Sequence, residues 1–412
     1  MEERKSYKEE KLGNFIIDIA AGPFGSNLKV DCFVPDGFPI IDGANLKGFK
    51  VTDNVTKFVT EEKARSLHRS IAKRNDVVVT ISGNVGQISF IPMDSKYPEY
   101  LVSQRQFRAT FDERRVYVPY LVYYFHTKEG QHKILSFANQ TGVPALAQPL
   151  KNFRNIDISL PDLQTQKQIA RILESLDNKI ELNNRINHNL EEQARSLYKS
   201  WFIDFEPFKD GKFVDSELGM IPEGWHIGTL SEIADITMGQ SPSGSSFNED
   251  GHGIVFYQGR TEFGFRFPSI KLFTTEPTRF AEPHSVLMSV RAPVGDINVA
   301  LDRCCIGRGL AAITAKDEAF PFVLYTLKGK SSELDLYNGE GTVFGSINRK
   351  ELEGLSILIP PRSIIQRFND CIKPVDDSIE IACKEIVSLS YSRDSILPKL
   401  MSGQLPLDEL DC

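Results

Sequence analysis

The sequence predicts an α+β protein: two mixed α/β domains in a pseudo-two-fold arrangement, separated by two long antiparallel coiled-coil helices. Three observations carry this expectation. The chain says nearly the same thing twice, about 200 residues apart. Two stretches place apolar residues at heptad spacing. The segments before each of them hold short β-branched runs punctuated by Gly and Pro.

The repeat is legible residue by residue. Leu160-Pro161 followed by Gln166 recurs as Ile359-Pro360-Pro361 followed by Gln366. Asp177-Asn178-Lys179-Ile180-Glu181 recurs as Asp376-Asp377-Ser378-Ile379-Glu380, and Val85-Gly86-Gln87-Ile88 is echoed by Val294-Gly295-Asp296-Ile297. A period this long marks a duplicated domain with its appendage; solenoid units run to roughly 20–50 residues. Two copies about a pseudo-two-fold axis suit a partner that itself has two related halves, such as duplex DNA.

The elements follow in order. Residues 1–160 form the first α/β domain. Asp76-Val77-Val78-Val79-Thr80-Ile81 reads as a strand, and a short helix is expected over 119–136, with Pro119 in its first turn. Residues 161–205 form the first long helix. Between 162 and 203 there is no Gly or Pro, and Ile169, Leu173, Leu176, Ile180, Leu190, Ala194, Leu197 and Trp201 make a seam whose two middle positions are Asn183 and Asn187. Polar residues in a seam oppose slippage and set register. At ~1.5 Å per residue such a helix is ~60 Å long, more than one DNA turn of ~34 Å. Residues 206–360 repeat the domain, with Pro321-Phe322-Val323-Leu324-Tyr325 as the matching helix start. Residues 361–412 form the second long helix, with its seam at Ile365, Phe368, Ile372, Val375, Ile379, Ala382, Ile386, Leu389 and Ile396. A shift of 199 residues lays the first seam on the second from Leu176 onward. Pro374 should kink this helix or delay its regular part.

Composition excludes several classes. No apolar run spans a bilayer, the charged start is no signal peptide, and the six cysteines contain no CxxC, so a cytoplasmic protein with no membrane, metal or disulfide framework is expected. The net charge is −7, but residues 1–160 carry 22 Lys+Arg against 18 Asp+Glu, while residues 206–360 carry 14 against 21. A nucleic-acid reader with this balance must cluster its cations on one face or borrow phosphate contacts from a partner. Catalytic motifs are missing. Gly329-Lys330-Ser331 lacks the earlier glycine of a phosphate loop, because position 324 is Leu. No HExxH occurs, Gly339-Glu340-Gly341 precedes Gly345 one residue too late for a dinucleotide fingerprint, and Pro360-Pro361 lacks the Asn or Asp and the aromatic of an amino-methyltransferase motif.

The stretch Leu182-Asn183-Asn184-Arg185-Ile186-Asn187, continued by residues 190–207 through Tyr198-Lys199-Ser200-Trp201-Phe202, resembles the central conserved region of type I restriction-modification specificity subunits. Leu218-Gly219-Met220-Ile221-Pro222-Glu223-Gly224-Trp225, Leu230-Ser231-Glu232-Ile233-Ala234 and Gly239-Gln240-Ser241-Pro242 resemble the start of that family's second target recognition domain. The resemblance covers essentially the whole chain and its order of domain, helix, domain, helix. It implies a non-catalytic subunit without a cofactor of its own. Each target recognition domain would read one half of a bipartite, asymmetric site in double-stranded DNA. The paired helices would fix the unread gap and dock two DNA adenine methyltransferase subunits, which use S-adenosylmethionine. Restriction subunits would add translocation and cleavage. An alternative specificity subunit serving only a methyltransferase is the neighbouring reading. A protein scaffold with two binding domains spaced by a coiled coil, suggested by the acidic charge, is the rival from another class.

Reading base edges requires Arg or Lys for guanine and Asn or Gln for adenine, projected from loops on a rigid scaffold. The candidates in the first domain are Ser26, Asn27 and Lys29 in a Gly-rich loop, Asn45 and Lys47, Asn84 and Gln87, and Gln104 with Arg105. In the second domain they are Gln240, Ser243 and Ser245 in the cognate loop, Gln258 and Arg260, Arg291 and Arg308. Arg105 and Arg308 align across the repeat and form the favoured pair. Gly22, Gly25, Gly239 and Gly244 are expected to supply positive φ. Tyr198, Trp201 and Phe202 are candidates for partner contact, with ordinary core as the other reading.

Overall fold

The computed structural model describes residues 8–25, 27–139, 142–217, 219–339 and 345–405. They belong to two compact units, Met1–Asn178 with Leu389–Cys412, and Lys179–Ser388.

In the first unit a four-stranded antiparallel sheet runs Ile16–Ala21, Gln106–Phe111, Val77–Thr80, Ile88–Phe90. A five-stranded sheet runs Phe33–Val34, Phe58–Val59, Phe38–Ile41, Glu99–Val102, Ile71–Lys73, with one parallel pairing, between Phe38–Ile41 and Glu99–Val102. Val77, Val78 and Val79 of the strand Val77–Thr80 are apolar without alternation because both faces are covered. Val77 and Val79 join Leu121, Val122 and Phe125 of the helix Val118–His126, whereas Val78 joins Ile41, Tyr100 and Val102 of the second sheet. The second unit repeats this plan. Its four-stranded order is Ala234–Met238, Leu310–Ala315, Val286–Ser289, Ile297–Val299, and its five-stranded sheet has the same single parallel pairing, Ile254–Tyr257 to Cys304–Ile306. Val286 and Met288 face Phe322 and Val323 of the helix Phe320–Gly329; Leu287 faces Tyr257 and Ile306.

The single helix expected over 119–136 is two, Val118–His126 and Lys128–Leu135. Thr127 ends one and starts the next: its hydroxyl donates to the Tyr124 carbonyl and accepts from the Gly130 amide. A Cβ on Gly130 would lie 2.3 Å from the Tyr124 carbonyl oxygen, so only glycine permits so tight a corner.

The long helices are Leu163–Phe202 and Arg362–Met401. Asp162 caps the first, its carboxylate accepting from the amides of Gln164 and Thr165. Pro374 neither delays nor ends the second: Ile365, Phe368 and Ile372, all before it, are buried in the second unit's core, and that burial outweighs the ~3 kcal/mol a proline costs inside a helix. Within each unit the two helices pair antiparallel. In the first unit Ile169, Ala170 and Leu173 meet Leu397 and Leu400. In the second, Asn183 Nδ2 donates to Glu385 Oε2 at 2.7 Å and Asn187 Nδ2 to Cys383 Sγ at 3.4 Å. Both asparagines are buried.

Buried charge ties each α/β domain to the helix pair of its own unit. In the first unit Tyr123 donates its hydroxyl to Asp177, which also accepts from Arg393 at 2.7 Å, and Arg393 lies over the Phe49 ring. In the second, Tyr325 donates to Asp376 at 2.9 Å, and Arg266, 3% exposed, pairs with Asp376 at 2.8 Å and Glu191 at 2.5 Å. Lys328 and Arg195 complete the shell of Glu191. Burial works to raise the Glu191 carboxyl, but Lys328 and Arg266 outweigh it and hold it at about 2. Burial, aided by Arg266, lowers the Lys328 ammonium to about 8 against the pull of Glu191.

Asn187 Oδ1 has no partner among the described residues, and a thiol is a weak acceptor for its amide. Asn187→Leu should therefore raise stability by about 1–2 kcal/mol, read as a higher melting temperature; a lower one would show that Asn187 is better satisfied than its contacts indicate. The Glu191 carboxyl is depressed in the folded state, so its stabilising share is complete above about 4.5 and is lost as pH falls toward about 2. Glu191→Gln should cost roughly 3 kcal/mol at neutral pH by leaving buried cations short of a partner. Acid unfolding of this variant should be flatter in that window, and an unchanged acid profile would count against the charge assignment.

Candidate nucleic-acid interface

The segments singled out in the first domain gather at one edge of its sheets. Residues 22–25 lie on the turn 103–105, where a Cβ on Gly22 would stand 1.9 Å from the Ser103 carbonyl oxygen. Gly43 approaches the side-chain amides of Gln87 and Gln106, and Gly83 faces the Arg105 guanidinium. Residues 21–25, 81–82, 104–105 and 148–151 line a cleft of about 720 Å³ whose walls include Phe24, Gln104, Arg105, Gln148 and Lys151. Among the described residues, no carboxylate lines it. Arg105, Gln104, Asn84, Asn27, Lys29 and Lys47 are exposed, and Arg105 forms no side-chain hydrogen bond or ion pair among the described residues. Ser26 lies outside the described residues.

The second domain builds the equivalent edge from different side chains. Arg308 sits in the turn between Cys304–Ile306 and Leu310–Ala315, the counterpart of the turn that holds Arg105, and its amide donates to Ser241 Oγ at 3.3 Å. Gly307 and Gly309 close on Gln258, and the Gln240 amide donates to the Ile306 carbonyl. Gln240, Gln258, Arg291 and Arg308 are exposed. Ser243 and Ser245 share a hydroxyl hydrogen bond, and Arg260 is held by Asp296 at 2.5 Å.

Several expectations change here. Asn45 is 4% exposed and spent on its own loop: it accepts from the Asp42 amide and donates to the Thr52 and Asn54 carbonyls, so it shapes the edge. Gln87 is half-buried and accepts from Thr80. Arg260 would have to break an ion pair to reach a ligand. Phe202 is core, and half-buried Tyr198 and Trp201 pack against it, Tyr198 on Phe202, Phe322 and Phe368 and Trp201 on Phe202, Phe208 and Phe368, as the core reading expects. Gly22 and Gly239 are required by close backbone approach and do not adopt positive φ; Gly25 and Gly244 do not adopt it either. Gln166 and Gln366 are not equivalent. Gln166 accepts from the Tyr117 amide in the interior, while Gln366 is exposed and Asn369 takes the inward role by accepting from the Phe322 amide.

Phe24, Gln148 and Lys151 were missed. An apolar residue is expected inside, yet Phe24 is 82% exposed beside Arg105. Gln148 and Lys151 are distant in sequence from the other loops, and only the fold brings them in. Among the described residues, no group of His, Cys, Asp and Glu is arranged to hold a metal ion, and no helix is long and apolar enough to cross a membrane.

The family model described as type I restriction modification DNA specificity domain matches twice, over residues 35–192 and 222–390. Each match covers most of one α/β domain and much of the long helix after it. The MjaX type I restriction enzyme specificity subunit of Methanocaldococcus jannaschii is 30% identical over 373 residues, covering 90% of this chain and 87% of that protein. The MjaIX specificity subunit of the same organism is 26% identical, covering 85% and 82%. The crystal structure of the type I restriction-modification system S subunit from M. genitalium shares the fold at a TM-score of 0.60 and 15% identity, with 96% of each chain covered. Duplicated, matched in both halves and alike in element order, the chain belongs to the type I restriction-modification DNA specificity family.

Proposed function

We propose that this chain is the non-catalytic, sequence-reading subunit of a type I restriction-modification complex and that it reads a bipartite, asymmetric site in double-stranded DNA. The observation that carries the reading is the exposed arginine at the same turn of both domains, Arg105 and Arg308, surrounded by different neighbours. A shared scaffold gives both domains the same approach to a duplex. Different side chains at the edge, with Phe24, Gln104 and Lys151 in one and Ser241, Gln258 and Arg291 in the other, give two unlike half-sites. A carboxylate-free cleft in an acidic protein also fits: local cation placement, not net charge, governs approach to phosphate.

The long helices are the ruler in this reading. Asn183 and Asn187 fix their register, and the gap between half-sites follows from it. Two methyltransferase subunits dock on the helices, where Ile381 and Val387 stand exposed on the second and Leu182 and Ile186 are partly exposed on the first. Base flipping and methyl transfer belong to those subunits, and restriction subunits join the same assembly.

Arg105→Ala in the assembled complex should cost about 1–3 kcal/mol and relax base choice in one half-site only, with Arg308→Ala acting on the other. Site selection from a randomised duplex library reads this directly; equal weakening on all sequences would reassign the arginine to phosphate contact. Inserting one heptad into each long helix should lengthen the preferred gap and leave the chosen bases unchanged, and a gap preference indifferent to the insertion would defeat the ruler.

A further inference from the structure

The same directional contact recurs at matched places in the two units. Tyr123, on a helix of the first α/β domain, donates to Asp177 of the first long helix; Tyr325, on the equivalent helix of the second, donates to Asp376 of the second long helix. The two aspartates are 199 residues apart, the displacement that superposes the seams. Each carboxylate is largely buried and each also takes an arginine, Arg393 or Arg266. Much of the remaining domain-to-helix contact is apolar, with Tyr120, Ile169, Ala170 and Leu173 together in the first unit and Phe202, Phe322 and Phe368 in the second. Further polar bonds join it, from the Tyr117 amide to Gln166 in the first unit and from the Phe322 amide to Asn369 and Arg266 and Lys328 to Glu191 in the second.

Apolar contact is non-directional and tolerates small slides and rolls. A hydroxyl-to-carboxylate bond weakens steeply when misaligned. Cohesion alone does not call for the charged group, because replacing a buried ionic contact by apolar residues of similar volume is often neutral or stabilising. What the bond adds is a fixed angle and register.

We propose that Tyr123–Asp177 and Tyr325–Asp376 are positioning latches that set the attitude of each α/β domain on its helix pair, and through it the length of gap the protein accepts between half-sites. This rests on the bipartite reading above. The latches touch no base, so they govern spacing and not base identity. Tyr198, which bonds the neutral Thr326 hydroxyl at 3.2 Å across the same kind of contact, serves as the comparison.

The test is Tyr123→Phe with Tyr325→Phe in the full chain, assembled with its modification subunits. Duplexes carry the preferred half-sites at the preferred gap and at gaps one base pair longer or shorter. Loss of a hydrogen bond to a charged group should lower the preferred-to-altered binding ratio roughly tenfold, with base choice unchanged. Tyr198→Phe should leave the ratio intact. An unaltered ratio in the double variant, or altered base choice, would overturn the proposal. Amide exchange of the free chain judges the latch without DNA. Exchange should quicken in Val118–His126 and Phe320–Gly329 while the helix seams stay protected, and unchanged exchange there would overturn the latch. A parent complex without any gap preference would instead bring down the bipartite reading, leaving the exchange result to decide the latch on its own.

Discussion

Everything in this chain depends on what a forty-residue helix must bury. A lone helix of that length offers one apolar stripe to water and gains nothing from it. Here each stripe is covered within a unit by an antiparallel stretch of the other helix and by an α/β domain. The cover is not wholly apolar. Asn183 and Asn187 interrupt it, and Glu191, Asp177 and Asp376 bring charge into it. Such groups cost stability when buried and return it only if aligned with a partner. A seam of Leu and Ile throughout would bind more tightly and specify its register less. The helix pair thus gives up some cohesion for position, the property a ruler needs.

The long helices, the duplicated domains and the strand Val77–Thr80 were legible because each rests on a periodic pattern that local sequence displays. What stayed hidden depended on tertiary contact. Thr127 breaks a helix because its hydroxyl serves two helices at once, and Gly130 admits the corner only because a backbone oxygen lies behind it. Asn45 looks like a base reader in a polar loop, but three backbone groups consume its amide. Gln366 matches Gln166 in the motif, yet its side of the helix faces solvent, so Asn369 supplies the inward amide. A motif records residue type; the phase of the helix decides what that residue meets.

The charge balance shows the same separation of scales. Net charge suggested a poor ligand for a polyanion, and the second domain is the more acidic half. Yet the cleft of the first domain presents Arg105 and Lys151 without a carboxylate, and in the second domain Arg308 carries no ion pair among the described residues. Over distances beyond a Debye length of ~10 Å the acidic remainder is screened, whereas a cation at the contact acts at full strength. Local arrangement therefore outranks the sum.

The two latches use one chemistry and two sources of cation. Asp177 takes its arginine from the second long helix, Arg393, whereas Asp376 takes Arg266 from the α/β domain itself. The tyrosine and aspartate recur at matched places because the domain helix and the long helix meet in the same way in both units. The arginine does not recur, because a buried carboxylate needs a countercharge but leaves open the direction from which it arrives. Position 393 is the seam counterpart of Ala194, which lies in the core of the second unit. An arginine there would displace apolar packing, and Arg266 supplies the countercharge from another side. The aspartate and tyrosine fix the geometry of the contact; the arginine satisfies its electrostatics, and only the first of these has to be inherited by both halves unchanged.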